Sequence, residues 1–216
     1  MTSASTARAH RTRKRTRIQE ENEARILDAA LEVFSTFGFR GATVDQIAVL
    51  AGMTKPNLLY YFRRKQDIYF AVLRRTLDMW LQPLEELSPH GEPEKELTAY
   101  IDRKLEMSRE NPTASRLFAM EIMQGAPVLG SVLTGSMKRL VDEKAAVLRR
   151  WIAAGRLAQV DPYHLIFMVW ATTQHYADFE VQIRAVLGPA ADRPEHFETA
   201  RRTLEQLFLK GFAKPA

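Results

Sequence analysis

Apolar residues recur along most of this chain with the spacing of an amphipathic α-helix. The clearest stripe contains Ile26, Ala30, Val33, Phe34 and Phe37, at positions i, i+4, i+7, i+8 and i+11. No segment alternates apolar and polar residues as a strand would, and no Asn-Gly pair marks a hairpin. The pattern therefore predicts an all-α protein with about nine helices.

Three predicted helices follow one another closely between residues 26 and 65. Gly38 ends the first helix, because glycine readily leaves the helical conformation. Thr43 starts the second and has a glutamine three positions later, which fits a capping box. Gly52 ends that helix, and Thr54 is a favourable N-cap for the third. This layout is typical of a helix-turn-helix that binds DNA.

The helical spacing assigns a small apolar core to these three helices. Leu58 and Phe62 are expected to face this core from the third helix. Phe34 and Phe37 are expected to close it from the first. The second helix is expected to contribute Val44, Ile47, Ala48 and Ala51. The opposite face of the third helix then stays free to enter a DNA major groove, which is about 12 Å wide.

Helical periodicity continues to the end of the chain. The remaining helices are predicted at about residues 65–84, 93–109, 112–124, 128–155, 161–184 and 194–212. We divide the chain into a disordered basic arm (1–17), a helix-turn-helix domain (18–65) and a C-terminal helical domain (66–216). The last boundary falls at the fourth helix, because no linker precedes that helix.

Basic residues are concentrated at the N-terminal end. Residues 1–75 hold 14 Lys and Arg against 7 Asp and Glu, a net charge of +7. The remaining residues hold 17 Lys and Arg against 19 Asp and Glu, a net charge of −2. This asymmetry favours a polyanionic partner for the N-terminal third. The arm at 1–17 is either a solvated tail or a segment that contacts phosphates or a minor groove.

Several kinds of site and of protein are disfavoured by the composition. The chain has no cysteine, which excludes disulfides and thiolate metal ligands. No apolar run is long enough for a membrane span, so a cytoplasmic protein without a membrane partner is expected. His164 and His175 have no third ligand at a suitable spacing, and we expect neither a metal nor a cofactor. No catalytic motif is present, so we do not expect an enzyme.

Three segments carry a family resemblance. Residues 38–48 (GFRGATVDQIA), 51–54 (AGMT) and 58–65 (LLYYFRRK) resemble the TetR family of bacterial transcriptional regulators. The resemblance covers about 45 residues and implies a helix-turn-helix domain followed by a helical domain for ligand binding and dimerisation. It also implies a double-stranded DNA partner with a palindromic operator, and a repressor that responds to a small molecule.

The resemblance implies DNA-binding roles for Thr43, Thr54, Lys55, Asn57, Tyr60, Tyr61 and Lys65. Thr43 and Lys65 would contact phosphates. Lys55 and Asn57 would reach base edges, where lysine reads guanine and asparagine reads adenine. The two tyrosines would anchor to phosphates or thymine methyls, unless one of them packs beneath the domain.

Two positions depart from the pattern of the family. Pro56 stands where many members have glycine, which affects how closely the third helix approaches DNA. Arg63 and Arg64 stand where members often have Pro-Ser. The missing serine cap is expected to weaken the start of the fourth helix by about 1 kcal/mol. The added charge is expected to strengthen phosphate binding.

The C-terminal domain resembles one branch of the family. Residues 164–179, together with 57–62, 114–118 and 120–121, are similar to a family member that regulates pyrimidine utilisation. This similarity implies a pyrimidine effector such as uracil or thymine. The expected ligand-binding residues are Trp80, Phe118, Trp170, Thr173, Gln174 and Phe179.

The residues themselves are compatible with such a ligand. Residues 165–172 are apolar on all sides, so this helix is expected to be buried on both faces. Trp170 and Gln174 share a face, where an indole wall and an amide suit the flat ring and the polar edge of a pyrimidine. A tryptophan in such a helix is also an ordinary core residue, and backbone groups are alternative partners for Gln174. A different, more hydrophobic effector and a DNA-binding protein without an effector remain alternatives.

Dimerisation is expected through the last two helices, as in the family. Ala200, Leu204, Leu207, Phe208 and Phe212 form an apolar stripe on the final helix. Two copies of these helices would form a four-helix bundle and give the two-fold symmetry that a palindrome requires. The alternative is that the stripe belongs to the core of a single chain.

Overall fold

The computed structural model describes residues 17–193 and 195–211, and all regular structure within them is helical. The α-helices are α1 (Arg17–Gly41), α2 (Val44–Leu50), α3 (Lys55–Tyr61), α4 (Lys65–Glu85), α5 (Pro93–Glu110), α6 (Pro112–Met123), α7 (Gly130–Val132), α8 (Lys138–Ala153), α9 (Pro162–Asp178), α10 (Glu180–Leu187) and α11 (Glu195–Glu205). The all-α fold class is confirmed. The basic arm predicted at 1–17 lies outside the described residues except for Arg17.

Three predicted helices are interrupted in the structure. The segment predicted at 128–155 contains a π-helical turn, Leu133–Met137, between α7 and α8. The segment predicted at 161–184 breaks at Phe179, whose φ of −116° is not helical. The final segment ends in a second π-helical turn, Gln206–Lys210. A π turn or a single irregular residue rotates the apolar face by only a fraction of a turn. The apolar spacing in the sequence therefore looks continuous across each break.

The first of two apolar cores joins α1–α4 and extends to α6. Ile26, Phe34, Ile47, Leu58 and Ile68 are fully buried there. Leu58 lies beneath α3 and fixes which face of that helix points outward. Residues from all four helices thus pack into one cluster, which fixes the positions of α2 and α3 relative to α1 and α4.

The prediction for Phe37 was wrong, since its side chain is 52% exposed. Gly38 has a φ of +66°, a conformation that glycine adopts without strain, and it redirects the chain at this point. Phe39 therefore takes the inner position. The Phe39 ring lies 6.2 Å from that of Phe34 and 4.9 Å from that of Tyr69.

Helix α4 connects the two cores. Its N-terminal half, from Ile68 to Leu77, packs in the first core, while Leu84 packs in the second. The second core joins the end of α4 to α5, α8, α9 and α11, and includes Ile101 and Trp151. Helix α4 is therefore one continuous element that extends from the helix-turn-helix into the second core.

The apolar stripe on α11 faces its own chain rather than solvent. Ala200, Leu204 and Phe208 are buried in the second core, so their assignment to a dimer surface was wrong. Leu207 is about half exposed, and Phe212 lies outside the described residues. Periodicity identified the apolar face correctly but did not indicate what covers it. Across residues 17–193 and 195–211, no helix has the length and hydropathy to cross a bilayer.

Candidate DNA-binding surface and effector groove

The N-terminus of α2 has the predicted capping box. The backbone N–H of Gln46 donates to Oγ1 of Thr43 at 3.2 Å, and the backbone N–H of Thr43 donates to Oε1 of Gln46 at 2.8 Å. The Thr43 side chain remains exposed at the helix N-terminus. Its position, with a positive helix end behind it, suits contact with a phosphate oxygen.

Helix α3 presents a polar face above the buried Leu58. Thr54, Lys55 and Asn57 are all exposed on this face. The Lys55 ammonium pairs with Asp45 at 2.9 Å, but both side chains are about half exposed or more. Such a surface pair contributes about 0–1 kcal/mol, so Lys55 is readily available to another partner. The three side chains form a contiguous face that projects away from the core.

The two tyrosines at the end of α3 have different surroundings. Tyr60 is 72% exposed. Tyr61 is partly buried, and its hydroxyl accepts a hydrogen bond from Asn22 Nδ2 at 2.9 Å. The rings meet edge to face, with centroids 5.3 Å apart. Tyr61 therefore positions Tyr60 while joining α3 to α1.

Lys65 makes contacts within its own chain. Its ammonium donates to the carbonyl oxygens of Phe39 and Ala42, each at 2.7 Å, and lies 4.7 Å from the centre of the Phe39 ring. These carbonyls follow the break at Gly38, where the helix no longer supplies N–H partners. Lys65 thus ties the start of α4 to the end of α1, which differs from the expected phosphate contact.

The neighbouring arginines fill other roles. The backbone N–H of Arg64 donates to Oδ2 of Asp67 at 3.0 Å, so the Asp67 carboxylate caps α4 in place of the missing serine. The Arg64 side chain also bonds this carboxylate and holds the pKa of Asp67 below its ordinary value. Arg63 is exposed and has no side-chain hydrogen bond or ion pair with the residues that the structure describes. It is the available cation between α3 and α4.

A groove of about 770 Å³ lies between α6, α9 and the end of α1. We call it the effector groove, and its walls are formed by Ser35, Thr113, Arg116, Leu117, Phe118, Ala119, Met120, Ile122, Met123, Trp170, Gln174, Asp178 and Phe179. Four of the six expected ligand-binding residues meet here: Phe118, Trp170, Gln174 and Phe179. They come from helices more than 40 positions apart in the sequence.

Gln174 is the polar residue of the groove that bears most directly on binding. It is partly buried, and its side-chain amide has no hydrogen bond to the described residues. The indole of Trp170 is fixed beside it, because its Nε1–H donates to the Tyr100 hydroxyl at 2.7 Å. The amide of Gln174 is therefore open to a ligand in the groove, to which it can offer one donor and one acceptor.

The other two expected ligand-binding residues do not line the groove. Thr173 is fully buried, and its hydroxyl donates to the carbonyl of Val169 at 2.7 Å. Trp80 is 3% exposed on α4. Its Nε1–H has no hydrogen-bond partner among the described residues. The ammonium of Lys104 lies 3.9 Å from the centre of its ring.

Sequence reasoning missed Lys104, which is 1% exposed on α5. Burial lowers its pKa well below the ordinary value, and the charge of Asp178 opposes that shift. The available signal was its position: Tyr100, Lys104 and Ser108 follow a four-residue spacing on the same side of α5 as the apolar residues Ile101 and Leu105. A lysine at a core position of a helix is unusual, because lysines are almost never fully buried unless they are paired.

Glu121 on α6 was also missed. Its carboxylate is buried and accepts hydrogen bonds from the backbone N–H groups of Val128 and Leu129 at 2.7 and 3.2 Å. The Tyr69 hydroxyl on α4 donates to it at 3.4 Å. Burial and the charge of Glu121 together raise the pKa of Tyr69 to about 12. This contact connects the helix that carries the groove to the helix that leads to the DNA-binding face.

Helix α9 also has an exposed apolar face. Phe167 and Met168 are each more than a third exposed on this helix, and Phe179 extends the face beyond its end. The rings of His175 and Phe179 stack with centroids 4.9 Å apart. In the described part of the chain, no group of three or more His, Cys, Asp and Glu is arranged to hold a metal ion.

The sequence and fold match known regulators over nearly the whole chain. Residues 26–72 match the family described as bacterial regulatory proteins of the tetR family. Residues 73–215 match the YcdC-like C-terminal region. The HTH-type transcriptional regulator RutR of Escherichia coli K12 is 48% identical over 200 residues, which covers 93% of this chain and 94% of RutR.

Solved structures share the fold. A TetR-like transcriptional regulator from Rhodococcus sp. RHA1 aligns with a TM-score of 0.64 and 25% identity, over 92% of this chain and 98% of that one. AibR, solved with isovaleryl coenzyme A and operator DNA, aligns with a TM-score of 0.64 and 15% identity, over 87% of this chain and 97% of AibR. The protein therefore belongs to the TetR family of bacterial transcriptional regulators, as a DNA-binding regulator similar to RutR.

Proposed function

We propose that the protein is a homodimeric repressor that releases a palindromic operator when it binds a pyrimidine base such as uracil or thymine. Two copies of α3 would lie in major grooves about one helical turn apart or a multiple of that spacing. The observation that carries the effector assignment is the unpaired amide of Gln174 beside the fixed indole of Trp170.

The DNA contacts follow from the exposed face of α3. Lys55 and Asn57 would read base edges, and Thr43, Thr54 and Tyr60 would contact the backbone. Arg63 would supply the phosphate contact first expected from Lys65, because the Lys65 ammonium is already bonded to two carbonyls. Tyr61 would act through Tyr60, which it supports.

Selection of bound duplexes from random DNA tests the DNA assignment. The wild-type protein should enrich a palindrome with two half-sites. Asn57→Ala should lose about 1–3 kcal/mol of discrimination at one position of each half-site. Gln159→Ala, an exposed change near the far end of α8, is the matched control and should enrich the same palindrome as the wild type. Enrichment of no sequence would contradict the assignment.

The pyrimidine assignment rests on the match of groups and on the resemblance of residues 164–179 to a pyrimidine-responsive relative. Uracil is flat and has alternating C=O and N–H groups on its edge. Gln174 offers one donor and one acceptor to that edge, and Trp170 and Phe118 offer apolar walls. The 48% identity with RutR extends across the groove helices and supports the same assignment.

Calorimetric titration with uracil, thymine and an unrelated base of similar size tests the effector. Saturable binding of uracil or thymine is expected. Gln174→Leu should weaken it about tenfold or more, because a buried polar edge then lacks its partner. Gln182→Leu, an exposed change on α10, should leave affinity unchanged. Failure of both bases to bind would remove the pyrimidine assignment and leave the DNA assignment intact.

The dimer surface is proposed on α9 rather than on the buried stripe of α11. Phe167, Met168 and Phe179 expose apolar area on one chain that a second copy would cover. Helix α11 would contribute its outward side to the same bundle. Phe167→Asp should convert the dimer to a monomer in light scattering, and a monomeric wild-type protein would contradict this part of the proposal.

A second candidate effector is a hydrophobic molecule such as a medium-chain fatty acid. Met120, Ile122 and Met123 expose apolar side chains on the α6 wall of the groove, which favours such a ligand. Gln174 and Asp178 on the opposite wall favour a ligand with a polar edge. The same titration with octanoate distinguishes the two, because the pyrimidine proposal expects no saturable binding of octanoate.

The proposed coupling runs through α6 and α4. A ligand against Phe118 would shift α6, which is joined to α4 through Glu121 and Tyr69. Tyr69 also contacts Phe39 at the end of α1, with ring centres 4.9 Å apart. A tilt of α4 would change the spacing of the two α3 helices in the dimer. The ligand shifts this equilibrium only by its difference in affinity for the two arrangements.

A further inference from the structure

A second cavity, of about 690 Å³, lies where the end of α1 meets α4 and the loop that follows α6. We call it the junction cavity, and its walls are formed by Phe37, Gly38, Phe39, Arg40, Tyr69, Glu121, Gln124, Pro127 and Val128. None of these residues lines the effector groove. The junction cavity is therefore a separate space, bordered by both the helix-turn-helix unit and the C-terminal domain.

The inner wall of the junction cavity carries a buried carboxylate without a cation. Glu121 is 1% exposed, and no other acidic side chain in the described ranges is buried to this degree. Its Oε1 accepts the backbone N–H groups of Val128 and Leu129 at 2.7 and 3.2 Å. Its Oε2 meets the Tyr69 hydroxyl at 3.4 Å, which is long for a hydrogen bond between two oxygens. One oxygen of this buried charge thus has no close donor.

The opposite charge stands at the rim of the same cavity. Arg40 is exposed, and its guanidinium has no hydrogen bond or ion pair with the residues that the structure describes, Glu121 included. Arg116 differs, since it lies on the same helix as Glu121 and pairs with Glu180 at 3.0 Å. The junction cavity therefore keeps two unpaired, opposite charges apart, one at its inner wall and one at its rim.

Aromatic rings line the cavity beside these charges. The ring centres of Phe39 and Tyr69 are 4.9 Å apart, and Phe37 is 52% exposed. The Phe39 ring already holds a cation, because the Lys65 ammonium lies 4.7 Å from its centre. Lys65 does not itself line the cavity, and two carbonyls bind its ammonium. A carboxylate beside aromatic faces is a suitable environment for the ammonium group of a ligand.

We propose that the junction cavity binds a small zwitterion, with its ammonium group against Oε2 of Glu121 and its carboxylate against the guanidinium of Arg40. The ammonium would donate to the oxygen that has no close donor and would offset the buried charge. An apolar chain between the two charged groups would lie against the aromatic walls. Arg40 would repel a ligand that has only an ammonium, and Glu121 would repel one that has only a carboxylate. The ligand class is therefore an amino acid rather than an amine or an acid.

Calorimetric titration of the full-length protein with ligands of equal chain length tests this proposal. ε-Aminocaproate has both charged groups, hexylamine has only the ammonium, and hexanoate has only the carboxylate. γ-Aminobutyrate is a shorter zwitterion, and it is included because the separation of the two charges selects the chain length. At least one zwitterion should bind saturably. Hexylamine should bind about threefold more weakly or worse, and hexanoate about tenfold more weakly or worse.

Two variants assign the charged ends of the ligand. Glu121→Gln removes the charge and keeps an oxygen for the two backbone N–H groups, and it should weaken zwitterion binding about tenfold or more. Arg40→Gln changes an exposed side chain, so it leaves the fold intact. It should weaken zwitterion binding about threefold and leave hexylamine binding unchanged or tighter. Glu94→Gln and Arg139→Gln, exposed changes on α5 and α8, are the matched controls and should bind the zwitterion as the wild type does.

The outcomes separate this site from the proposed function. If the wild type binds uracil but neither zwitterion, the junction cavity holds no such ligand and this inference fails alone. It also fails if Glu121→Gln and Arg40→Gln bind the zwitterion as tightly as the wild type. If a zwitterion binds while uracil and thymine do not, the pyrimidine proposal fails and the junction site stands.

Discussion

Lys65 in the helix-turn-helix unit and Lys104 in the C-terminal core are paired very differently. In the first, Lys65 has two backbone carbonyls at 2.7 Å, and its contacts hold α1 and α4 together. In the second, Lys104 has one carbonyl at 3.4 Å beside an indole N–H that has no partner among the described residues. The N-terminal unit gives its lysine two close acceptors, while the C-terminal core gives Lys104 one distant acceptor. Lys65 therefore holds two helices together, whereas the hydrogen bond of Lys104 contributes little to the packing of its helices.

The largest expected effect is on the rigid half. Leu58→Ala should lower the free energy of unfolding by about 2–5 kcal/mol, because a fully buried side chain leaves a cavity. Urea unfolding measures the change, and Val49→Ala, at an exposed position of α2, is the control. At urea concentrations below the unfolding midpoint of the variant, operator binding should fall while uracil binding persists. Equal losses of both activities would contradict the separation between the two halves.

The two lysines allow a direct comparison. Lys65→Met should destabilise the protein by about 1–3 kcal/mol, because two carbonyl oxygens lose their donor. Lys104→Met should leave stability unchanged or raise it, because a poorly paired buried amine is replaced by an apolar side chain. Urea unfolding without ligand measures both variants. A larger loss for Lys104→Met than for Lys65→Met would reverse the comparison.

The pH dependence of stability should distinguish Lys104 from an ordinary lysine. Its pKa is lowered in the folded protein, so the unfolded chain binds more protons between that value and the ordinary 10.5. Stability should therefore rise with pH in this window and fall as pH decreases through it. The slope for one group is at most about 1.4 kcal/mol per pH unit. The difference between wild type and Lys104→Met, measured by urea unfolding from pH 7 to 9, should show this rise, and parallel curves would contradict it.

The smallest expected effect tests the phosphate contact. In a plot of log affinity against log salt concentration, Arg63→Ala should reduce the magnitude of the slope for operator binding by about 0.9 per binding site. Arg150→Ala, at the distal end of α8, should leave that slope unchanged. Fluorescence anisotropy at several salt concentrations provides the measurement. An unchanged slope for Arg63→Ala would mean that this arginine makes no phosphate contact.

These comparisons also show why the sequence was more informative about one half than the other. The capping box at Thr43, the break at Gly38 and the buried Leu58 depend on neighbours within a few residues, and each was predicted correctly. Phe37 was placed wrongly because Gly38 redirects the chain by a positive φ that helical periodicity does not include. Local signals therefore predicted the output domain well.

The candidate ligand site depends on contacts between distant segments. The spacing of Trp170 and Gln174 indicated one wall of the groove, and the resemblance named Phe118 on the other wall. The sequence did not indicate that most of α6 lines the groove. Trp80 was named as a wall of the site and is instead buried behind it. Lys104 was overlooked because lysines are usually solvated, and its burial depends on how α5 packs against α4 and α9.

The release of operator DNA by uracil tests the central claim most directly. A fluorescent duplex bearing the selected palindrome is followed by anisotropy while uracil is added to the wild type, Gln174→Leu and Gln182→Leu. The wild type and Gln182→Leu should release the duplex over the same range of uracil concentration. Gln174→Leu should bind the duplex equally well and need about tenfold more uracil to release it. Release of the duplex from Gln174→Leu at wild-type concentrations of uracil, or no release from the wild type, would contradict the account.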